Sequence, residues 1–172
     1  MTAEQIEWAS HHGFNCIRAP AQEFVNAGTA ESARRALFER AMKSLAAGES
    51  PLIYSASGPD DPSIGATKDR MAERGQKSLD TGKLLGEQLG RLTRELLAAT
   101  SLSRVVIAGG DTSSFATQEL GLYGLEMMAP TAPGSPLCRA YSGEARFDRL
   151  EIALKGGQMG QIDYFGRLRG SL

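Results

Sequence analysis

Apolar residues recur at helical spacing or gather in short runs along most of this chain, and the two patterns alternate. In residues 2–12, Ile6 and Ala9 fall on one face and Thr2 and Gln5 have capping-box spacing, which predicts a helix ended by Gly13. A short strand is predicted at residues 14–18. A second helix starts at Thr29, with Glu31 in its first turn; Ala33, Ala36, Leu37, Ala41, Met42 and Leu45 form its apolar stripe, and Gly48 ends it. Residues 51–56 read as a strand and residues 57–62, Ser-Gly-Pro-Asp-Asp-Pro, as a turn-rich loop. The longest helical pattern covers residues 78–99, where Leu85, Leu89, Leu92, Leu96 and Leu97 share a face. Gly82, Gly86 and Gly90 line another strip of it, for close packing or for room beside a ligand.

Arg104-Val105-Val106-Ile107-Ala108 is a continuous apolar run, predicting a central strand covered on both faces. A helix over residues 113–120, a strand over 122–128, a turn over 129–136, a strand ending at Leu154 and a closing helix over 162–168 complete the pattern. Strands separated by helices of ten or more residues predict a three-layer α/β/α domain. The short late connections predict a mixed, partly parallel sheet. The first helix begins almost at Met1 with no strand before it, so the sheet is expected to lack its first strand.

The 172 residues suit one domain, and 41% hydrophobic content supports a core built mainly from aliphatic side chains. Nineteen Lys and Arg face 20 Asp and Glu, so no global basic surplus points to nucleic acid. No apolar run approaches the roughly 18 residues of a membrane span, and the first residues do not resemble a secretory signal. A cytoplasmic protein is the default expectation. Cys16 and Cys138 read as buried free thiols, a disulfide or a metal site remaining open. The adjacent His11 and His12 have no zinc-ligand spacing. Arg34, Arg35 and Arg40 read as a solvated helix face, and Tyr123, Met127 and Met128 as core or as the wall of a base pocket.

The 20 glycines are the informative excess, because they gather where apolar runs end. Gly109-Gly110-Asp111-Thr112-Ser113 follows the strongest strand and opens a helix. Glycines there let an anion approach the backbone, helix amides point at it, and Thr112 or Ser113 can add a hydroxyl. The same segment also reads as a tight turn capped by Ser113. Asp111 would repel a phosphate unless a cation such as Mg²⁺ intervened; it reads equally as a helix cap. Lys155-Gly156-Gly157-Gln158-Met159-Gly160 is a second strand-to-glycine loop, where Lys155 can offer its ammonium to a phosphate or stand exposed on a turn. Neither loop is a named nucleotide motif. Asp60 and Asp61 read as turn residues, or as ligand or cation contacts.

These loops, with Ala132-Pro133-Gly134-Ser135-Pro136-Leu137-Cys138-Arg139 and Asp163-Tyr164-Phe165, resemble the C-terminal nucleotide-binding domain of the four-carbon acid sugar kinase family. The order and separation match, and softer agreement begins at Thr2. The resemblance implies ATP and Mg²⁺ as cofactors and a four-carbon sugar acid (erythronate, threonate or 3-oxo-tetronate type) as the phosphoryl acceptor. It implies that residues 109–113 hold phosphates and Gly157 lies against the nucleotide. Pro133 and Gly134 would shape the pocket near base or ribose. Residues 1–172 would then be one nucleotide-binding domain, the C-terminal half of a two-domain kinase. Most catalytic groups would lie in an absent N-terminal sugar-acid-binding domain, leaving this half inactive alone. The chain departs from the family in Asp111, where Glu is frequent, and in residues 155–160, commonly Lys-Ser-Gly-Asn-Phe-Gly. A non-catalytic nucleotide or sugar-phosphate binding module, and an interaction domain whose glycines serve packing, are the alternatives. An apolar edge exposed by the missing half would leave self-association open.

Overall fold

The computed structural model describes residues 1–75 and 80–170. The described elements are α1 (Thr2–Ser10), β1 (Phe14–Arg18), α2 (Ala21–Phe24), α3 (Ala30–Ala46), β2 (Ser50–Tyr54), α4 (Pro62–Ala72), α5 (Thr81–Ala99), β3 (Arg104–Ala108), α6 (Asp111–Gln118), β4 (Leu122–Ala132), β5 (Ser135–Ser142), β6 (Glu151–Lys155) and α7 (Tyr164–Arg169). The first two residues of the helix expected over 78–99 lie outside the described residues.

β1 and β2 form a parallel pair, while the larger sheet runs β3-β6-β5-β4. β3 is parallel to β6, and β5 is antiparallel to both β6 and β4. This is the mixed α/β arrangement that the short late connections predict. Alternation along the strands divides the side chains between two helical layers. Val105, Ile107 and Ile152 pack with Leu97, Leu120 and Phe147 on the side of α5 and α6. Val106 and Ala153 pack with Tyr164 and Leu168 of α7 on the other side. Ile17 of β1 likewise meets α3 and α5, while Cys16 and Leu52 meet α1. α5 bridges both sheets on one side through Leu92, Leu96 and Leu97, and Phe165 bridges them on the other.

β3 is not central, despite its apolar sequence. It ends the larger sheet with one edge paired, and none of its five residues is fully buried. Local apolarity reports a strand's fitness for burial, whereas the number of neighbours is set by topology.

α1 begins where the sequence predicts, yet no capping box forms. Thr2 Oγ1 donates to the Gly157 carbonyl at 2.7 Å, and Gln5 Nε2 donates to Met159 O at 3.0 Å and Gln161 O at 2.8 Å. The loop's carbonyls need partners, and α1 supplies them. α4 was hidden in the loop expected over residues 57–62 and beyond it. Asp61 is its N-cap, accepting from Ser63 N, and Pro62 stands in its first turn. The turn expected over residues 129–136 is mostly strand. β4 continues to Ala132, Pro133 and Gly134 (φ 71°) reverse the chain, and β5 starts at Ser135. Pro followed by a left-handed Gly is the residue order of a type II turn. β5 escapes the sequence pattern because its two ends are buried serines, Ser135 beside the Tyr164 hydroxyl and Ser142 donating to the Leu120 and Gly121 carbonyls.

Cys16 and Cys138 are free, and burial pushes both thiols up, away from nucleophilic character. His12 stacks on Trp8 at 3.8 Å. Arg34 corrects the solvated-face reading: its side chain is 15% exposed and pairs with Glu95 at 2.9 Å and Gln88 at 2.7 Å. Tyr123, Met127 and Met128 are exposed, not core.

The glycine strip of α5 has two different environments. A Cβ at Gly90 would stand 2.8 Å from Ala116 Cα and 2.9 Å from its carbonyl oxygen, whereas one at Gly82 would meet nothing. Gly90→Ala is therefore expected to destabilise the domain by about 1–2 kcal/mol, the backbone clash outweighing the helix-propensity gain. Gly82→Ala should be neutral or stabilising by up to about 1 kcal/mol. Urea denaturation of the two variants measures the opposite signs.

Candidate functional site

β4 and β6 are each antiparallel to β5, and β3 is parallel to β6, so the carboxyl ends of β3, β4 and β6 share one rim. Register pairs Ala108 with Lys155 at the ends of β3 and β6, and Gly109 N adds one further bond to Lys155 O at 2.8 Å. Gly109-Gly110 and Gly156-Gly157 therefore leave the sheet side by side. The Pro133-Gly134 turn reaches the same rim, and a Cβ at Gly134 would touch Met159 Cε at 3.7 Å. α1 also starts there, since Thr2 bonds the loop after β6. It then descends to Gly13, so β1 and β2 climb back toward the rim.

In the first loop Gly109 has φ 149°, which admits glycine, and Gly110 is the N-cap of α6 without a side-chain cap bond. Ser113 Oγ donates to Gly110 O at 2.7 Å or Gly109 O at 3.1 Å, closing the strand-to-helix turn. Asp111 and Thr112 open α6 with their backbone; their side chains lie outside the described residues. In the second loop Lys155 is 1% exposed, with its ammonium turned to the loop's own carbonyls; burial lowers its pKa. A Cβ at Gly110 or Gly157 would meet nothing within 4 Å, so both backbones are open to an approaching group. A Cβ at Gly156 would stand 3.0 Å from Met159 Cγ and one at Gly160 (φ 87°) 2.7 Å from Tyr164 Cδ2, so packing alone already favours glycine at these two positions.

Beside the loops is a hollow of about 540 Å³ lined by Met127, Pro130, Thr131, Ala132, Pro133, Gly134 and Pro136. Its walls are apolar and it carries no ionisable side chain, which suits a flat uncharged ring. Tyr164 ties hollow to loop. Its hydroxyl lies 2.5 Å from Ser135 Oγ, and the Lys155 ammonium stands 5.7 Å from its ring centre. The late aromatic pattern placed Tyr164 in a helix but could not reveal this link.

A second cluster at the rim was not recognised from the sequence. Arg18 at the end of β1 makes a forked pair with Asp61, at 3.2 and 3.0 Å, and lies 5.1 Å from the Tyr54 ring centre. Asp61 also accepts from Ser57 N and Oγ at 2.8 Å and from Ser63 N at 3.0 Å. Arg18, followed by the Ser57 and Ser63 amides, holds its carboxyl far below the usual carboxylate range. Asp61 is thus an ionised structural anchor, and the half-exposed Arg18 it holds presents positive charge to solvent. Asp-Pro ahead of a helical pattern was the available signal.

A family model described as nucleotide-binding C-terminal domain matches residues 1–165. A 3-oxo-isoapionate kinase of Paraburkholderia graminis is 40% identical over 171 residues, covering 98% of this chain and 36% of that protein. A 3-oxo-tetronate kinase of Cupriavidus necator is 36% identical over 118 residues, covering 69% of this chain and 24% of that protein. This chain thus spans about a third or less of these relatives. The crystal structure of a Haemophilus influenzae protein has the same fold, with TM-score 0.75 at 24% identity over 99% of this chain and 37% of the other.

Proposed function

Because this chain belongs to the nucleotide-binding C-terminal domain family, we propose that it is the ATP-binding part of a sugar-acid kinase. The observation that carries the reading is the parallel β3–β6 pair, which brings both glycine loops to one rim beside an apolar hollow. In this reading the nucleotide's base or ribose lies in the hollow against Pro133 and Gly134. Its phosphates lie against the amides of residues 109–113 and of Gly157. Phosphoryl transfer needs chiefly positioning and neutralisation of developing charge, and backbone donors on a rigid rim serve both.

Among the described residues no group of three or more His, Cys, Asp or Glu side chains converges on one point. Mg²⁺ bound with a nucleotide takes most of its ligands from phosphates and water, so one carboxylate suffices. Asp111 is the proposed contact, on its place in the first turn of α6. The metal would neutralise charge on the transferred phosphoryl group. The acceptor is proposed to be a four-carbon sugar acid or a close analogue, in keeping with the kinases named above. Its binding groups and the catalytic base are assigned to an N-terminal domain.

The 172-residue chain is expected to bind ADP and ATP in calorimetry and to show no turnover with ATP and a panel of four-carbon acids. Appreciable turnover would overturn the division of labour. A preference for sugar phosphates over both nucleotides would favour a non-catalytic binding module instead.

A further inference from the structure

Lys155 ends β6 with its ammonium sealed beneath the second glycine loop. The ammonium donates to Gly156 O at 3.1 Å and to Gly157 O at 2.5 Å. Among the described residues it makes no ion pair; the carboxylates of Glu151 and Asp163 pair with Arg104 and Arg167. A buried cation without a carboxylate is costly, and its retention calls for a role that neutral packing would not serve.

Peptide geometry supplies that role. A trans peptide directs its carbonyl and its N–H to opposite sides. The carbonyl of Gly156 shares its peptide with the N–H of Gly157, and that of Gly157 with the N–H of Gln158. One ammonium drawing both carbonyls inward therefore turns two consecutive N–H groups outward. Thr2 Oγ1 reinforces the second carbonyl at 2.7 Å. Neither N–H has an acceptor among the described residues, and the space over Gly157 is open.

We propose that Lys155 is a positioning residue for nucleotide phosphates, holding the Gly156 and Gly157 carbonyls so that the amides of Gly157 and Gln158 receive the anion. It does not touch the phosphate. This rests on the nucleotide-binding reading and reverses the direct contact that the sequence suggests for the ammonium. The charge behind the peptide pair also attracts the anion in front of it, and the anion supplies a counter-charge that no carboxylate among the described residues provides. Desolvation already disfavours the charged lysine, and a bound anion would restore it.

The test is calorimetry of the full 172-residue chain with ADP, inorganic tripolyphosphate and adenosine. Lys155→Met is expected to weaken ADP and tripolyphosphate roughly 10- to 100-fold, the scale of hydrogen bonds to a charged group, with adenosine unchanged. Lys155→Gln keeps an uncharged donor for the carbonyls and should regain at least about half of that loss on a logarithmic scale. Lys155→Gln no better than Lys155→Met overturns the proposal. So does wild-type affinity in Lys155→Met. Should both variants fail to fold, a wild-type structure with ADP decides. Nζ kept on both carbonyls and away from phosphate oxygens supports the role, and Nζ bonded to phosphate refutes it. If the wild type binds neither ADP nor tripolyphosphate, the nucleotide reading itself falls and takes this inference with it. If it binds and Lys155→Met binds equally, only the inference falls.

Discussion

Gly157→Val is expected to weaken ADP and tripolyphosphate binding roughly 100-fold, about 2.7 kcal/mol, while shifting the melting temperature little. The separation of the two effects follows from the geometry. A side chain at Gly157 would meet nothing within 4 Å, and its backbone is not left-handed, so the fold does not require glycine there. What requires it is the close approach of an anion to the Gly157 and Gln158 amides. Gly160→Val provides the contrast. That position has φ 87° and lies against Tyr164, so the variant should lose stability first and affinity as a consequence. Calorimetry alongside thermal melts distinguishes them. Full ADP affinity in a well-folded Gly157→Val would mean that phosphates do not reach this loop.

Asp61→Ala should cost about 2–3 kcal/mol, because it removes the N-cap of α4 and the acceptor of the Ser57 and Ser63 amides together, while the half-exposed Arg18 can turn to water. For a chain of this size that corresponds to a fall of roughly 4–12 °C in melting temperature. Asp61→Asn retains an acceptor for Ser63 N and should lose less. The pH dependence has a definite sign. The folded carboxyl titrates far below its unfolded value, so its stabilisation is complete above the ordinary carboxylate range near pH 4 and is lost progressively on acidification. The stability gap between wild type and Asp61→Asn should therefore be widest above about pH 5 and shrink toward pH 2. Denaturant midpoints measured across that range check it. A constant gap would show that Asp61 acts through packing alone.

Much of the site was legible because its chemistry is local. A strand that ends in paired glycines announces itself by composition, and both loops, with the Pro133-Gly134 turn, could be named without coordinates. Roles were less legible than places. Lys155 reads as a free ammonium next to a phosphate loop, but its side chain folds under the loop it follows. Ser113 offers a hydroxyl in sequence and uses it on Gly109 and Gly110 carbonyls in the fold. Arg18 and Asp61 stand 43 residues apart, and no periodicity connects them.

Helix stripes, the β1 and β3 strands, the glycine stops and the α/β class were determined by sequence alone, since each depends on neighbours within a few positions. Tertiary structure alone decided which strands adjoin. It set β3 at a sheet edge, turned the proline-rich segment into a hairpin, and placed β6 beside β3 so that two distant loops open together. The physical reason is range. Propensity and periodicity act along one turn or one strand, whereas pairing partners and buried hydrogen bonds are chosen by whichever segments the whole chain can bring together without leaving polar groups unmet.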